Sequence, residues 1–338
     1  MADSIRRIVV TSAGSPLGLA MLAALRAMPG VEQVRGVTSS DKHARPIGEE
    51  LEVVPYVPDH RPFAEYLEKE SIDTVIQCGL VPDRSGIGEM ESEADVIATM
   101  CLGAAIAQPG SSVRSWVLAS STAIYPIGSH SSLMQVESQE LPREEETLAS
   151  SIAEAEAYAR DVAIRLPHVN VAILRLQQLA GAGVRGPLAA LLARDPVPIP
   201  IGFDATIQLL HLDDAAGAMA FAAREELSGV YNVASAGLIH WQEAVRATGH
   251  AAFPVLPVAV SLAEPLLERL GVPHIPSELI ELVRFGHVVD LAKIEASGWH
   301  PRKQQREILA ELGRRKIHSS GKTSGSASGQ RRGPFRAN

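Results

Sequence analysis

The chain has 338 residues, a formal net charge of −8, 46% hydrophobic residues and only 4% aromatics. Such a length predicts two domains, or one large α/β domain with a smaller attached lobe, around a sizeable core. The negative balance speaks against a nucleic-acid partner for the body of the chain. The two cysteines, Cys78 and Cys101, and the eleven histidines show no metal-ligand spacing, so no metal is expected. The first residues run straight into an apolar strand without a signal-peptide layout, and there is no apolar run of ~18 residues. A cytoplasmic protein without a membrane partner is therefore expected.

Apolar strand-like runs alternate with helical spacing through the first half. Strands are predicted at 7–11, 34–38, 51–57 (despite Pro55), 74–79, 115–120 and 170–175. Helices are predicted at 17–28, 61–70, 93–108 and 144–166. This order predicts an α/β fold, a Rossmann-type doubly wound parallel sheet with a smaller C-terminal substrate lobe. Right-handed crossovers put the strand C-termini on one rim, where ligands of such sheets bind. The alternation weakens after Leu176, where Pro and Gly become frequent. The expected division is 1–176 for the Rossmann domain, 177–312 mainly for the lobe, and 313–338 for a basic Gly/Ser-rich disordered tail. The acids Glu144, Glu145 and Glu146 suit the start of the long helix, where the dipole favours negative charge.

The first strand ends in Thr11, Ser12, Ala13, Gly14, Ser15, Pro16, Leu17 and Gly18, leading into a helix. A small-residue turn lets a pyrophosphate approach the backbone, and the helix N-terminus adds free N–H groups and partial positive charge. Ser12 and Ser15 stand where the dinucleotide fingerprint has glycine; their hydroxyls are candidate phosphate contacts. Thr38 stands where an acid would hold the ribose of NAD, followed by Ser39, Lys42 and Arg45. NAD or NADP is the expected cofactor, with NADP slightly favoured. Asp59 is a candidate adenine contact. Cys78, Gly79, Leu80, Ala119 and Gln178 lie at the same rim and complete the cofactor candidates.

Further segments carry a resemblance. Asp95-Val96-Ile97-Ala98-Thr99, Ser120-Ser121-Thr122-Ala123-Ile124-Tyr125, Leu174-Arg175-Leu176-Gln177-Gln178-Leu179-Ala180-Gly181 and His211-Leu212-Asp213-Asp214 follow in order, then Tyr231-Asn232-Val233 and Gly298-Trp299-His300-Pro301. With the turn, these resemble the NVxGT, serine-bearing, LRPxNxYG, HVDD, YNV and GWxP segments of the extended short-chain dehydrogenase/reductases, the group with NAD-dependent epimerases and dehydratases. The resemblance implies a YxxxK pair as acid/base, and a homodimer through helices near 93–108 and 150–166. It also departs from the family. Leu148 and Ile152 replace the Tyr and Lys, and the alternative register through Tyr158 meets Val162. Neither Leu nor Ile can carry a proton, so a non-standard acid/base is needed, with Ser121, Tyr125, Tyr158 and His211 as candidates. Ile207 replaces the arginine that clamps a diphosphate in sugar-nucleotide enzymes, which favours a small, apolar metabolite. Three functions remain open: an epimerase/dehydratase- or reductase-like enzyme, a non-catalytic dinucleotide-binding regulator or scaffold, and a repurposed fold for non-redox isomerisation, elimination or cyclisation.

Overall fold

The computed structural model describes residues 6–39, 51–79, 89–139, 141, 148–184, 186–255 and 277–314. The basic tail from 315 onward, Lys42, Arg45, Leu80 and Glu144–Glu146 lie outside them.

The chain runs β1 (Arg6–Thr11), α1 (Pro16–Arg26), β2 (Val31–Thr38), β3 (Glu52–Val53), α2 (Arg61–Lys69), β4 (Thr74–Gln77), α3 (Glu89–Ile106), β5 (Ser115–Ser121), α4 (Leu148–Arg165) and β6 (Asn170–Leu176). There follow β7 (Leu179–Ala180), α5 (Pro187–Leu192), β8 (Val197–Pro200), β9 (Thr206–Ile207), β10 (Leu210–His211), α6 (Leu212–Arg224) and β11 (Gly229–Val233). The last elements are β12 (Ile239–His240), α7 (Trp241–Thr248), β13 (Ala252–Val255) and helices at Ser277–Phe285, Ala292–Ala296 and Gln305–Gly313.

Seven strands form one parallel sheet in the order β11-β6-β5-β4-β1-β2-β3. Its central strands are continuous apolar runs because both faces are covered. Side chains alternate between two cores. Ile8, Val10, Ile76, Val117, Ala172 and Leu174 face α1 and α6, while Val9, Val75, Trp116, Leu118, Val171 and Ile173 face α2, α3 and α4.

The third strand is shorter than the predicted 51–57. Its partner β2 ends at Thr38, so pairing stops after Val53, Val54 N donates to Thr38 O at 3.0 Å, and the chain continues towards the rim. The segment after Leu176 is also not a continuous lobe. Tyr231-Asn232-Val233 lies in β11, paired with β6 in the main sheet, and α6 packs on α1 beneath it. Residues 212–233 thus complete the Rossmann half; Trp299 is buried in the same core. The smaller lobe is built from three two-stranded pairs, β10-β7, β12-β9 and β13-β8. Its core holds Leu188, Leu192, Trp241, Val245 and Leu309. Among the described residues, no helix is long and apolar enough to cross a membrane.

Candidate cofactor cleft and active-site rim

Strand order reverses between β1 and β4, because the chain leaves β1 towards β2 and returns to β4 on its other side. Ligand crevices of open α/β sheets form at such switch points. A cleft of about 180 Å³ opens there, lined by Thr11, Ser12, Ser39, Tyr56, Val57, Gln77, Gly79, Ala94, Asp95, Ala98 and Leu102.

The turn beneath it is set by small residues. Ser12 adopts φ 51°, the left-handed conformation in which glycine is favoured. The turn closes with Ser15 N donating to Ser12 O at 3.0 Å and Ala13 N donating to Val37 O at 3.2 Å. Ser15 then caps α1, its Oγ accepting from Gly18 N at 3.0 Å, and Pro16 occupies the first turn. The Ser15 hydroxyl thus accepts in the cap and keeps its own O–H as a donor. At Gly18 a Cβ would lie 2.6 Å from Ala13 Cα and Ser12 O, so only glycine lets the helix sit this close to the turn. Leu17 is buried beneath it.

The cleft floor is polar. Thr99 Oγ1 donates to Asp95 O at 2.9 Å, so it must accept from Gln77 Nε2 at 2.8 Å. This fixes the amide, and Gln77 Oε1 is left buried without a partner, as is Thr11 Oγ1. A buried acceptor without a donor is unfavourable by about 1–3 kcal/mol. At the mouth, the Tyr56 hydroxyl lies beside Ser12 and Ser39 and near Asp95. Burial raises its pKa above the usual tyrosine value, partly offset by the neighbouring serines. Of the sequence candidates, Thr11, Ser12, Ser39 and Gly79 line the cleft. Tyr56, Gln77 and Asp95 were missed; the sequence signal was their place at the ends of β3 and β4 and in the NVxGT-like segment.

Several other candidates are placed elsewhere. Asp59 is not in the cleft wall: its carboxylate accepts from Arg61 N at 3.0 Å and pairs with the Arg61 guanidinium, which lowers its pKa. Cys78 and Ala119 are buried in the core beside α1, and burial pushes the Cys78 thiol up. Thr38 is buried, and Gln178 lies past β6, its N–H donating to Gln177 Oε1. Gly14 lies in the turn itself.

The second part of the rim lies beyond β5 and β6. Ser121 is buried; its Oγ accepts from Ala123 N at 3.1 Å, capping a short 3-10 turn. The Tyr125 hydroxyl donates to Asn232 Oδ1 at 2.7 Å and accepts from Arg175 Nη1 at 2.8 Å. Arg175 forms a buried, two-pronged pair with Glu156 at 2.9 and 2.6 Å, and Ser120 Oγ donates to Glu156 at 2.6 Å. Tyr125 is thus a buried member of a hydrogen-bond network with Arg175 and Asn232. His211 caps α6, Nδ1 accepting from Asp213 N at 3.1 Å while Nε2 meets Glu311 at 3.1 Å, so both ring nitrogens are engaged. Tyr158 packs in the seam between α3 and α4, against Gly103. Ile152 is fully buried among Ile124, Tyr125, Ala234 and Val289, one turn into α4 from Leu148. No proton relay can run through that position.

One imidazole differs. His287 Nδ1 meets Gln177 Oε1 at 3.3 Å, and that oxygen also accepts from Thr122 Oγ1 at 2.8 Å. Since an amide oxygen only accepts, Nδ1 carries the hydrogen. Nε2 then holds a bare lone pair, buried without a partner, and burial lowers the pKa to about 4. Among the described residues, no group of three or more His, Cys, Asp or Glu is placed to hold a metal ion.

Comparison with known proteins decides the family. The family model for NAD-dependent epimerases/dehydratases matches residues 8–234. The chain belongs to the NAD-dependent epimerase/dehydratase family. As in that extended short-chain dehydrogenase/reductase group, the match spans the turn, the cleft and β11. An uncharacterised protein of Mycobacterium tuberculosis (strain ATCC 25618 / H37Rv) is 29% identical over 246 residues, 71% of this chain. The matched region spans 65% of that relative's length. Among solved structures, MoeE5 in complex with UDP-glucose and NAD aligns with TM-score 0.64 at 21% identity, covering 91% of this chain and 97% of that one. The dTDP-glucose 4,6-dehydratase of Bacillus anthracis in complex with NAD aligns with TM-score 0.66 at 14% identity, covering 91% and 95%. These likenesses show that the epimerase/dehydratase fold is kept from end to end of the structured chain.

Proposed function

We propose that the chain binds NAD or NADP along the C-terminal rim of its sheet. With it, the chain carries out epimerase-, dehydratase- or reductase-type chemistry on a small, apolar metabolite, using an acid/base other than a Tyr–Lys pair. The observation that carries this reading is the cleft at the β1/β4 switch point, with the unpartnered Gln77 Oε1 and Thr11 Oγ1 in its floor. The residues fit a dinucleotide: the turn 11–18 and the α1 N-terminus would hold a pyrophosphate, and Ser39, Tyr56 and Gln77 the adenosine. Bound nicotinamide supplies a hydride acceptor or donor.

The chain must then handle the proton that accompanies hydride transfer. In this reading His287 does so: its tautomer is fixed by Gln177, it is neutral at pH 7, and its Nε2 lone pair is free among the described residues. Thr122 and Gln177 orient it from the ends of β5 and β6. Ile207, buried in the lobe core, leaves no cation for a diphosphate at its position, which favours an apolar metabolite over a nucleotide sugar such as the UDP-glucose in the MoeE5 complex. The short-stranded lobe would form the substrate wall, and a cytoplasmic homodimer through α3 and α4 belongs to the same reading.

The test is dinucleotide titration followed by turnover of a panel of apolar carbonyl and hydroxyl compounds. Turnover lost in His287→Gln, at unchanged dinucleotide affinity, supports the reading. The engagement of Ser121, Tyr125 and His211 in structural hydrogen bonds favours a second one, a dinucleotide-binding regulator or scaffold without catalysis. Binding without turnover across the panel would put it first. Product formed without added cofactor would point to non-redox chemistry instead.

A further inference from the structure

The end of β2 lacks the acid that reads the adenosine ribose in a Rossmann domain. Thr38 stands in its place and is 4% exposed. Ser39, the next residue, lines the cleft, and what meets it there is the hydroxyl of Tyr56. Tyr56 reaches the rim because pairing of β3 stops after Val53 and the chain then turns towards the cleft. The same hydroxyl also lies beside Ser12, the residue held at φ 51° in the turn. A glycine at Ser12 would sit in that conformation without strain but would present no hydroxyl to Tyr56. The replaced fingerprint glycine and the missing acid therefore meet in one cluster of three hydroxyls. On the opposite side, Asp95 lies beside Gly79, whose missing Cβ keeps the space open in front of Ser12 Oγ.

We infer that Tyr56, flanked by Ser12 and Ser39, is the residue that reads the adenosine ribose in this chain, in place of the absent acid. The inference rests on the reading of the cleft as a dinucleotide site. A phenolic hydroxyl can accept from a ribose hydroxyl and donate in turn, so it replaces the acceptor function of a carboxylate. Unlike a carboxylate it carries no charge at neutral pH. Its ring is buried, 4% exposed, which holds the side chain in place before the ligand arrives.

The test uses the full chain and calorimetric titration with ADP and with 2′-deoxy-ADP. Wild-type protein is expected to prefer ADP by roughly tenfold, the worth of one good hydrogen bond. Tyr56→Phe is expected to keep the ligand-free melting temperature, to bind ADP roughly tenfold more weakly and to lose the preference. A Tyr56→Phe protein that still prefers ADP overturns the inference, as does a wild-type protein that never distinguishes the two. Should Tyr56→Phe melt early, Ser39→Ala carries the same test: it must reduce the preference, and a full preference overturns the assignment. Failure of wild-type protein to bind ADP, NAD and NADP alike would instead overturn the cleft as a dinucleotide site.

Discussion

His287 gives a prediction with a definite sign. Its pKa falls from 6.5 to about 4 because burial penalises the charged ring. Between those values the unfolded chain binds a proton that the folded chain does not. The stability held by the neutral imidazole is therefore fully present above pH 6.5 and is lost as pH falls towards 4. The gap, 6.5 − 4 or about 2.5 units, corresponds to about 3 kcal/mol in all, of which about 2 kcal/mol is lost between pH 7.5 and pH 5. His287→Gln retains an amide N–H that can reach Gln177 and removes the titration. Urea unfolding of both proteins at pH 7.5 and pH 5 isolates the effect, because every other histidine is common to both. The wild type should lose about 2 kcal/mol more than the variant over this range. Equal losses would show that the ring is not held neutral, and the proposed base would lose its physical footing.

Two further outcomes follow from the geometry. Gly18→Ala places a Cβ 2.6 Å from the turn backbone, so α1 must shift; denaturation should show a loss of about 1–3 kcal/mol, and dinucleotide affinity should fall roughly tenfold as phosphate hydrogen bonds weaken. Arg175→Met leaves Glu156 buried with Ser120 and Arg160, whose Nη1 donates to Glu156 at 2.9 Å, in place of its two-pronged partner; chemical denaturation should show a loss of about 3–5 kcal/mol, whereas a change within error would mean that Ser120 and Arg160 suffice.

Much of the sheet could be read in advance, for a physical reason. Both of its faces are covered, so Ile8-Val9-Val10, Val75-Ile76 and Trp116-Val117-Leu118 are unbroken apolar runs bounded by helical spacing. Two elements were obscured. β3 looked long because Leu51 to Val57 is apolar, but its partner β2 ends at Thr38, so the ladder closes with Val54 N donating to Thr38 O. β11 carries Gly229 and Asn232, weak strand formers, and its pairing with β6 comes from a long-range return that local pattern does not encode.

The site divides in the same way. The turn was legible because its small residues are contiguous, and Gly18 proves to be sterically required. Tyr56, Gln77 and Asp95 were not, because they belong to different elements and meet only when the strand ends converge. Tyr125 and His211 stand out in the sequence as polar residues in motif segments. Their partners within the protein were not legible there: Tyr125 bonds to Arg175 and Asn232, and His211 caps α6 and meets Glu311. A polar side chain in a motif does not say whether its partner is a substrate or the protein itself.

The central claim is that the β1/β4 cleft of this chain holds a nicotinamide dinucleotide. Calorimetric titration of the full chain with NAD, and separately with NADP, tests it most directly. Saturable one-to-one binding in the micromolar range, with roughly tenfold or less between the two because the described β2 end carries hydroxyls in place of an acid, is the predicted result. The absence of saturable heat with either dinucleotide up to millimolar concentration would contradict it.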